Sequence, residues 1–269
     1  METDSSIYEK MPASVVEGIP VFSEADEYVE NYAAVAKDHL DSLRAHGRNP
    51  FIPEEIWKAS EDSTRDLIKK YSRGEPVILD VGVGLGRLLS PLPGCRKFGM
   101  DISREYLKVA GSKGIEVCFS RVEDMPYRKE SFDIVVCTDV LEHVLDLDLC
   151  CRKMLSVLKK GGVLIVRVPY KEDLAPYLDK AYPYRYSHLR SFDENSIRLL
   201  FERVFRCEFL EWTTAGYRPD RVRLRYRVPA GEGVLMRLIG LAGRVGGDFY
   251  RNLLRRVFLP IEMNAVIRK

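Results

Sequence analysis

Long apolar runs are missing from this chain of 269 residues. No stretch approaches the roughly 18 consecutive apolar residues of a membrane span, so a spanning helix is excluded. The opening METDSSIYEK has neither a basic start nor an apolar segment, and no signal peptide is expected. Zinc spacing is absent too: Cys95, Cys118, Cys137, Cys150, Cys151 and Cys207 include no C-x-x-C pair. Several cysteines sit in apolar runs such as DIVVC, where the thiol behaves as a small buried hydrophobe. Reduced thiols in a cytoplasmic protein are therefore expected. Only 4 histidines occur, and no His/Asp/Glu cluster has ligand spacing, so no metal is expected. Repeats and low-complexity tracts are lacking as well. A net charge of +2 excludes a wholly polyanion-binding or acid-rich molecule.

Apolar residues, 46% of the chain, are enough for a sizeable core, and 30% charged residues suit a soluble surface. The first 75 residues read as helical. FSEADEYVENYAAVAKDHLDSLRAHG opens with Ser23 as N-cap and closes on Arg44, His46 and Gly47; a second helix runs from Pro53 to about Tyr71. Strands and helices then alternate. Strands are expected at Pro76–Val81, Lys97–Asp101, Glu116–Phe119, Phe132–Thr138 and Val163–Val168. Helices are expected at Gly86–Ser90, Arg104–Gly114, about Asp146–Lys160 and Glu194–Phe205. Runs such as VLIVRV are aliphatic on both faces, the mark of parallel strands between helical layers. The fold class is α/β, a Rossmann-like doubly wound, mostly parallel sheet. Strands at about Cys207–Thr213 and Glu262–Ile267 form a C-terminal antiparallel edge hairpin. The expected organisation is a helical cap over 1–75, a cofactor-binding core over 76–213, a basic insertion over 214–260 and a last core strand over 261–269.

VILDVGVGLGRLL places Gly82, Gly84 and Gly86 directly after the first of these strands. A strand, a glycine-rich turn and a short helix let a backbone approach a ligand at the carboxyl end of a sheet. Asp101 closes the next strand, where a carboxylate can accept two hydrogen bonds from a ribose diol. The dinucleotide pattern G-x-G-x-x-G requires glycine at position 87, which is Arg87.

The pattern D-x-G-x-G-x-G from Asp80 to Gly86 resembles the first motif of class I S-adenosylmethionine-dependent methyltransferases. FGMDIS, VEDMPYRKESFDIVVCTDVLEHV and MLSVLKKGGVLIVRVP are similar to their later motifs, in order. HLRSFDENSIRLLFE resembles a segment of the UbiE-like, type 11 group. The likeness covers roughly residues 75–213 and the last strand. It implies S-adenosyl-L-methionine as cofactor, and roles for matching positions. Asp80 lies toward the methionine amino group, and Gly82, Gly84 and Gly86 present bare backbone. Asp101 holds the ribose and Ile102 packs on adenine. Val122 and Glu123 line the adenine edge, and Asp139 lies near the sulfonium. Arg121 stands where many relatives have an acid; Glu123, Asp124 or backbone oxygens are the alternatives for that contact.

Methyl transfer from a sulfonium needs alignment and water exclusion, and a base only where the acceptor loses a proton. His143 in LEHV and His188 in YRYSHLRSF are the candidate catalytic residues, each with the alternative of a purely structural place; Glu142 shares it. Tyr170, Tyr184 and Arg190 are candidate acceptor contacts. Tyr177, Tyr182 and Tyr186 enrich the same loop, suited to stacking or to packing the loop on the sheet.

Between Thr214 and Pro260 the local charge is +7, which leaves −5 for the remainder. RVRLRYRV, if extended, places Arg221, Arg223, Arg225 and Arg227 on one face and Val222, Leu224 and Tyr226 on the other. Arg237, Arg244 and Arg251 then recur at sevenfold spacing opposite Leu238, Leu241, Val245 and Phe249, although Gly240, Gly243, Gly246 and Gly247 favour two short helices. Three readings stand: a lid on the core, an interfacial surface for anionic lipid, or a phosphate-reading surface. The expectation is methylation, by preference O-methylation, of a small-molecule, glycan or lipid-linked acceptor, with possible peripheral contact with an anionic membrane. The alternatives are RNA or protein methylation, aminopropyl transfer, or a non-catalytic cofactor-binding subunit.

Overall fold

The computed structural model describes residues 7–219, 223–225 and 232–269. Its framework is a nine-stranded sheet. In chain order the strands are β1 (Ser14–Val16), β2 (Ile19–Val21), β3 (Val77–Val81), β4 (Arg96–Asp101), β5 (Glu116–Phe119), β6 (Phe132–Thr138), β7 (Leu158–Pro169), β8 (Glu208–Ala215) and β9 (Glu262–Arg268). They lie in the order β1-β2-β5-β4-β3-β6-β7-β9-β8. The stretch from β2 to β7 is parallel, and β9 inserts antiparallel between β7 and β8. The C-terminal edge hairpin is therefore present, with β8 outermost.

The helices are α1 (Glu27–His46), α2 (Glu54–Tyr71), α3 (Arg104–Gly111), α4 (Leu147–Val157), α5 (Glu194–Arg198), α6 (Glu232–Val245) and α7 (Gly247–Val257). On one face of the sheet α2 and α3 press Leu67, Ile68, Leu107 and Ala110 onto Ile78, Ile134 and Ile165. On the other, Cys150, Met154 and Ile197 of α4 and α5 cover Leu79, Val135 and Val166. Burial of each such side chain contributes about 1.5–3 kcal/mol, which is why the aliphatic runs had to be strands covered on both sides. No helix of the described residues is long and apolar enough to cross a membrane.

Five expectations need correction. Residues 86–90 form successive turns rather than a helix; Gly86 N–H bonds Val83 O and Ser90 N–H bonds Gly86 O. Asp26, not Ser23, caps α1 by accepting from Val29 N–H; Ser23 instead donates to Asp124 and accepts from Arg121 N–H. The single helix expected to Phe205 is α5 followed by a π-helical turn over Leu199–Val204. The helix expected to Lys160 stops at Val157, and LKKGG already belongs to β7. Finally, the first 75 residues are not only helical: β1 and β2 turn on Glu17 and Gly18, both left-handed, and extend the sheet beyond β5.

In the basic insertion, Arg221, Val222, Tyr226 and Arg227 lie outside the described residues. Gly246, at φ 67°, divides α6 from α7, so Arg237 and Arg251 stand on different helices. Leu238, Leu241 and Phe249 are exposed, whereas Ile239, Leu254 and Phe258 form the buried seam that holds this helix pair.

Candidate active site

The carboxyl ends of β3, β4, β6 and β7 open on a cleft of about 600 Å³. Gly82 and Val83 donate their N–H groups to Met100 O at 2.9 and 3.0 Å, which fastens the glycine loop to β4. Gly84 then donates to Asp101 Oδ2, and Ser103 N–H to Asp101 Oδ1, both at 2.9 Å. Both carboxylate oxygens thus accept from the backbone while the side chain lines the cleft. Burial raises the Asp101 pKa despite these donors. A side chain on Gly84, at φ 50°, would meet nothing within 4 Å, so the loop leaves space where a ligand could lie against bare backbone. Arg87, where a dinucleotide site would need glycine, ties the loop to α2: it stacks 3.7 Å from the Trp57 ring and pairs with Glu54 and Glu61 at 2.6 and 3.0 Å.

Asp80, Gly82, Gly84, Asp101, Ile102, Val122, Glu123 and Asp139 all line this cleft, with His143, His188 and Tyr184. Gly86, Tyr170 and Arg190 do not. A Cβ on Gly86 would press to 2.7 Å from Ile115 Cδ1, so this glycine serves loop–helix packing. Tyr170 stacks on Trp212 at 6.3 Å. Arg190 donates to the Val144 and Leu145 carbonyls. Arg121 also lines the cleft, with its guanidinium over the Tyr28 ring at 4.9 Å, and pairs with Asp26 at 2.5 Å and Glu123 at 3.4 Å.

The cleft floor is acidic. Asp80, Glu142 and Glu262 are buried, and burial pushes all three carboxyls well above their ordinary pKa values. Neighbouring acids add to the effect at each. The buried Arg167 opposes it at Asp80 and Glu262, and pairs with Asp139 at 2.5 Å. Asp139 is held at φ 56°, with its N–H on Arg167 O. Asp80 Oδ1 has no hydrogen-bond partner among the described residues. A buried unsatisfied acceptor, a surplus of carboxylates and the open Gly84 backbone fit a cationic sulfonium ligand with a sugar diol and an amino group.

The far end of the cleft is aromatic. Tyr28 and Tyr32 of α1 lie 4.8 Å apart, and the Tyr32 hydroxyl is 2.9 Å from His143 Nδ1. His143 and His188 meet edge to face at 4.4 Å. Burial, then the neighbouring His188, lowers the His143 pKa to about 3 against the pull of Asp139 and the Ser187 backbone, so this ring is neutral at physiological pH. His188 Nδ1 is hydrogen-bonded to Glu172 and lies 3.2 Å from the Tyr177 hydroxyl, which donates to Glu172 at 2.8 Å. Tyr182 and Tyr184 continue the wall toward Phe51. The sequence reading missed Arg167, Glu172, Tyr28 and Tyr32. Only the tyrosine pair left a trace, its i, i+4 spacing on one face of α1.

Residues 79–166 match the family model described as "Methyltransferase domain". An uncharacterized protein of Methanocaldococcus jannaschii is 35% identical over 115 residues, 43% of this chain and 53% of its own length. The human mitochondrial ubiquinone biosynthesis O-methyltransferase is 34% identical over 145 residues, 48% of this chain and 37% of that protein. The chain thus spans about half, or less, of these relatives. Among solved structures, Synechocystis magnesium protoporphyrin IX methyltransferase superposes with TM-score 0.59 at 15% identity, covering 91% of this chain and all of the other. The fold and the cleft define a class I S-adenosylmethionine-dependent methyltransferase domain. The match to the methyltransferase-domain model spans residues 79–166, and S-adenosyl-L-methionine is the cofactor that this match and the cleft support.

Proposed function

We propose that the protein is an enzyme that methylates a hydroxyl of a small-molecule, glycan or lipid-linked acceptor. The observation that carries this reading is the His188–Glu172 pair in the same cleft as the Gly84–Asp101 loop. Bound S-adenosylmethionine supplies a sulfonium-borne methyl for in-line displacement. Asp101 holds its ribose, Ile102, Val122 and Glu123 its adenine, and Asp80 its amino end; the acid-rich floor around Asp139 favours its positive charge. Glu172 fixes Nδ1 of His188, which leaves Nε2 to take the hydroxyl proton as the new carbon–oxygen bond forms. Glu172 then stabilises the imidazolium. Tyr28, Tyr32 and Tyr177 exclude water and offer ring faces to the acceptor. The core over 76–213 would hold the cofactor, while 1–75 and 214–260 shape the acceptor side.

A lipid-linked acceptor has one observation in its favour. Leu238, Leu241 and Phe249 are exposed on α6 and α7 beside the exposed Arg237, Arg251 and Arg255, an arrangement suited to an anionic membrane surface.

Tritiated methyl from S-adenosylmethionine, incubated with extract and then fractionated, tests the proposal. Label is expected in the small-molecule, glycan or lipid pool. His188→Ala is expected to slow transfer by about 10²–10⁴-fold with cofactor affinity unchanged, and Glu172→Gln to shift the pH profile. Label confined to RNA or protein would overturn the acceptor class.

A further inference from the structure

Sequence spacing predicts no metal, because His143 and His188 stand 45 positions apart. The fold brings them together. Glu142, His143 and His188 present one donor atom each, all within 4.8 Å of one another, at the acceptor end of the cleft. From these donors we infer that the protein binds one divalent first-row transition cation between Glu142, His143 and His188. The inference deepens the reading of this end of the cleft as the place of the acceptor hydroxyl, and rests on it only for what the cation does there.

Two independent features point to a ligand. Glu142 is wholly buried, and neither of its oxygens has a hydrogen-bond partner among the described residues. Leaving a carboxylate so is costly, and a cation is the partner that removes the cost. The second feature is the outer contacts of the imidazoles. Nδ1 of His143 meets the Tyr32 hydroxyl at 2.9 Å, and Nδ1 of His188 meets Glu172. Metal-binding imidazoles are held in this way, with one nitrogen on an oxygen and the other on the metal. Tyr177, bonded to Glu172 at 2.8 Å, extends the support of His188 by one more step.

The donor set selects the ion. Two imidazole nitrogens and one carboxylate suit zinc, cobalt, manganese or iron(II), whereas magnesium prefers oxygen throughout. With bonds of about 2.1 Å, donors in a tetrahedral array stand about 3.4 Å apart, so a pair separated by 4.8 Å closes by about 1.4 Å on loading. Three protein ligands leave coordination positions open. A hydroxyl in one of them ionises nearer neutrality and loses its proton to water. In the loaded protein the cation therefore takes over the activation that His188 provides alone.

The test uses the full chain, stripped with chelator and titrated with Co²⁺ followed by Zn²⁺, reading the cobalt visible spectrum. One equivalent of Co²⁺ is expected to bind with nitrogen and oxygen ligand-field bands and to be displaced by Zn²⁺. His188→Ala and Glu142→Gln are each expected to weaken binding by at least about tenfold, and Glu172→Gln by about 10–100-fold. Calorimetric titration of His188→Ala with S-adenosylhomocysteine is expected to match the parent chain. That match separates loss of the cation from misfolding and from failure of the cofactor site. Absence of saturable binding below about 1 mM, or binding through cysteine sulfur that the three substitutions leave untouched, would overturn the inference.

Discussion

Gly84 and Gly86 lie two residues apart in one loop, yet they answer to different neighbours. A side chain at 84 would project into open cleft, whereas one at 86 would strike Ile115 and Ala110. Gly84→Ala is thus expected to fold at a cost of about 1–2 kcal/mol for its left-handed backbone and to lose cofactor affinity. Gly86→Ala is expected to lower the melting temperature without a direct effect on the cleft. Calorimetry of both variants, with and without S-adenosylhomocysteine, separates the two. Asp80 carries the opposite tension. Its folded pKa is raised, so above about pH 4, the unfolded value, the unfolded state ionises while the buried carboxyl resists. Stability therefore falls as pH rises through that window. Asp80→Asn is expected to stabilise the cofactor-free protein at pH 8 by about 1–3 kcal/mol, with the gain fading below about pH 4, and to bind cofactor about tenfold less tightly. A melting temperature equal to the parent's at pH 8 would show that the buried carboxyl carries no penalty. The loop and Asp101 were legible because a local motif dictates them. The meeting of His143, His188 and Glu172 was not, because it depends on how the chain after β7 folds back over the end of β6.

Elements were legible where chemistry repeats over several residues. The central parallel strands read directly from runs such as DIVVC and VLIVRV, since burial on both faces leaves no polar alternation. The β1–β2 hairpin escaped notice because each strand has three residues and Pro20 weakens the second as a candidate. The Glu17–Gly18 pair, both at positive φ, was its one mark. The expected helix after Gly86 is replaced by turns that close on Val83 O, Gly86 O and Leu89 O. The α6–α7 pair rests on a seam of its own, Ile239, Leu254 and Phe258, separate from the two clusters that sandwich the sheet. Phe258→Ala would remove a fully buried ring, a change worth about 3–5 kcal/mol in a shared core. Because the seam is separate, the loss is expected to fall on these helices. Hydrogen exchange should quicken across 232–257 while β3, β6 and β7 keep their protection. Equal loosening of the central strands would mean that the helix pair is part of the main cooperative unit.

Across the whole molecule, charge is segregated along the chain. The segment 214–260 carries +7 while the remainder carries −5, and three large exposed apolar side chains lie on α6 and α7. Arg218, Arg223 and Ile261, which flank that helix pair in sequence, also line the cleft. A membrane bound by the pair would therefore meet the protein through the segment that leads into the site. Each arginine near an anionic bilayer contributes about 1 kcal/mol, and the apolar side chains add to this by burial. The electrostatic part is screened within about 10 Å at 0.1 M salt. Co-flotation with vesicles containing phosphatidylglycerol is thus expected at low ionic strength. Flotation should fall steeply with added salt, and vesicles of phosphatidylcholine alone should float little protein. Leu238→Asp combined with Phe249→Asp should abolish flotation while S-adenosylhomocysteine affinity persists, since neither residue lines the cleft. Equal flotation of the double variant would assign the attraction to charge alone. Absence of flotation by the parent chain at low salt would return α6 and α7 to the simpler role of a lid.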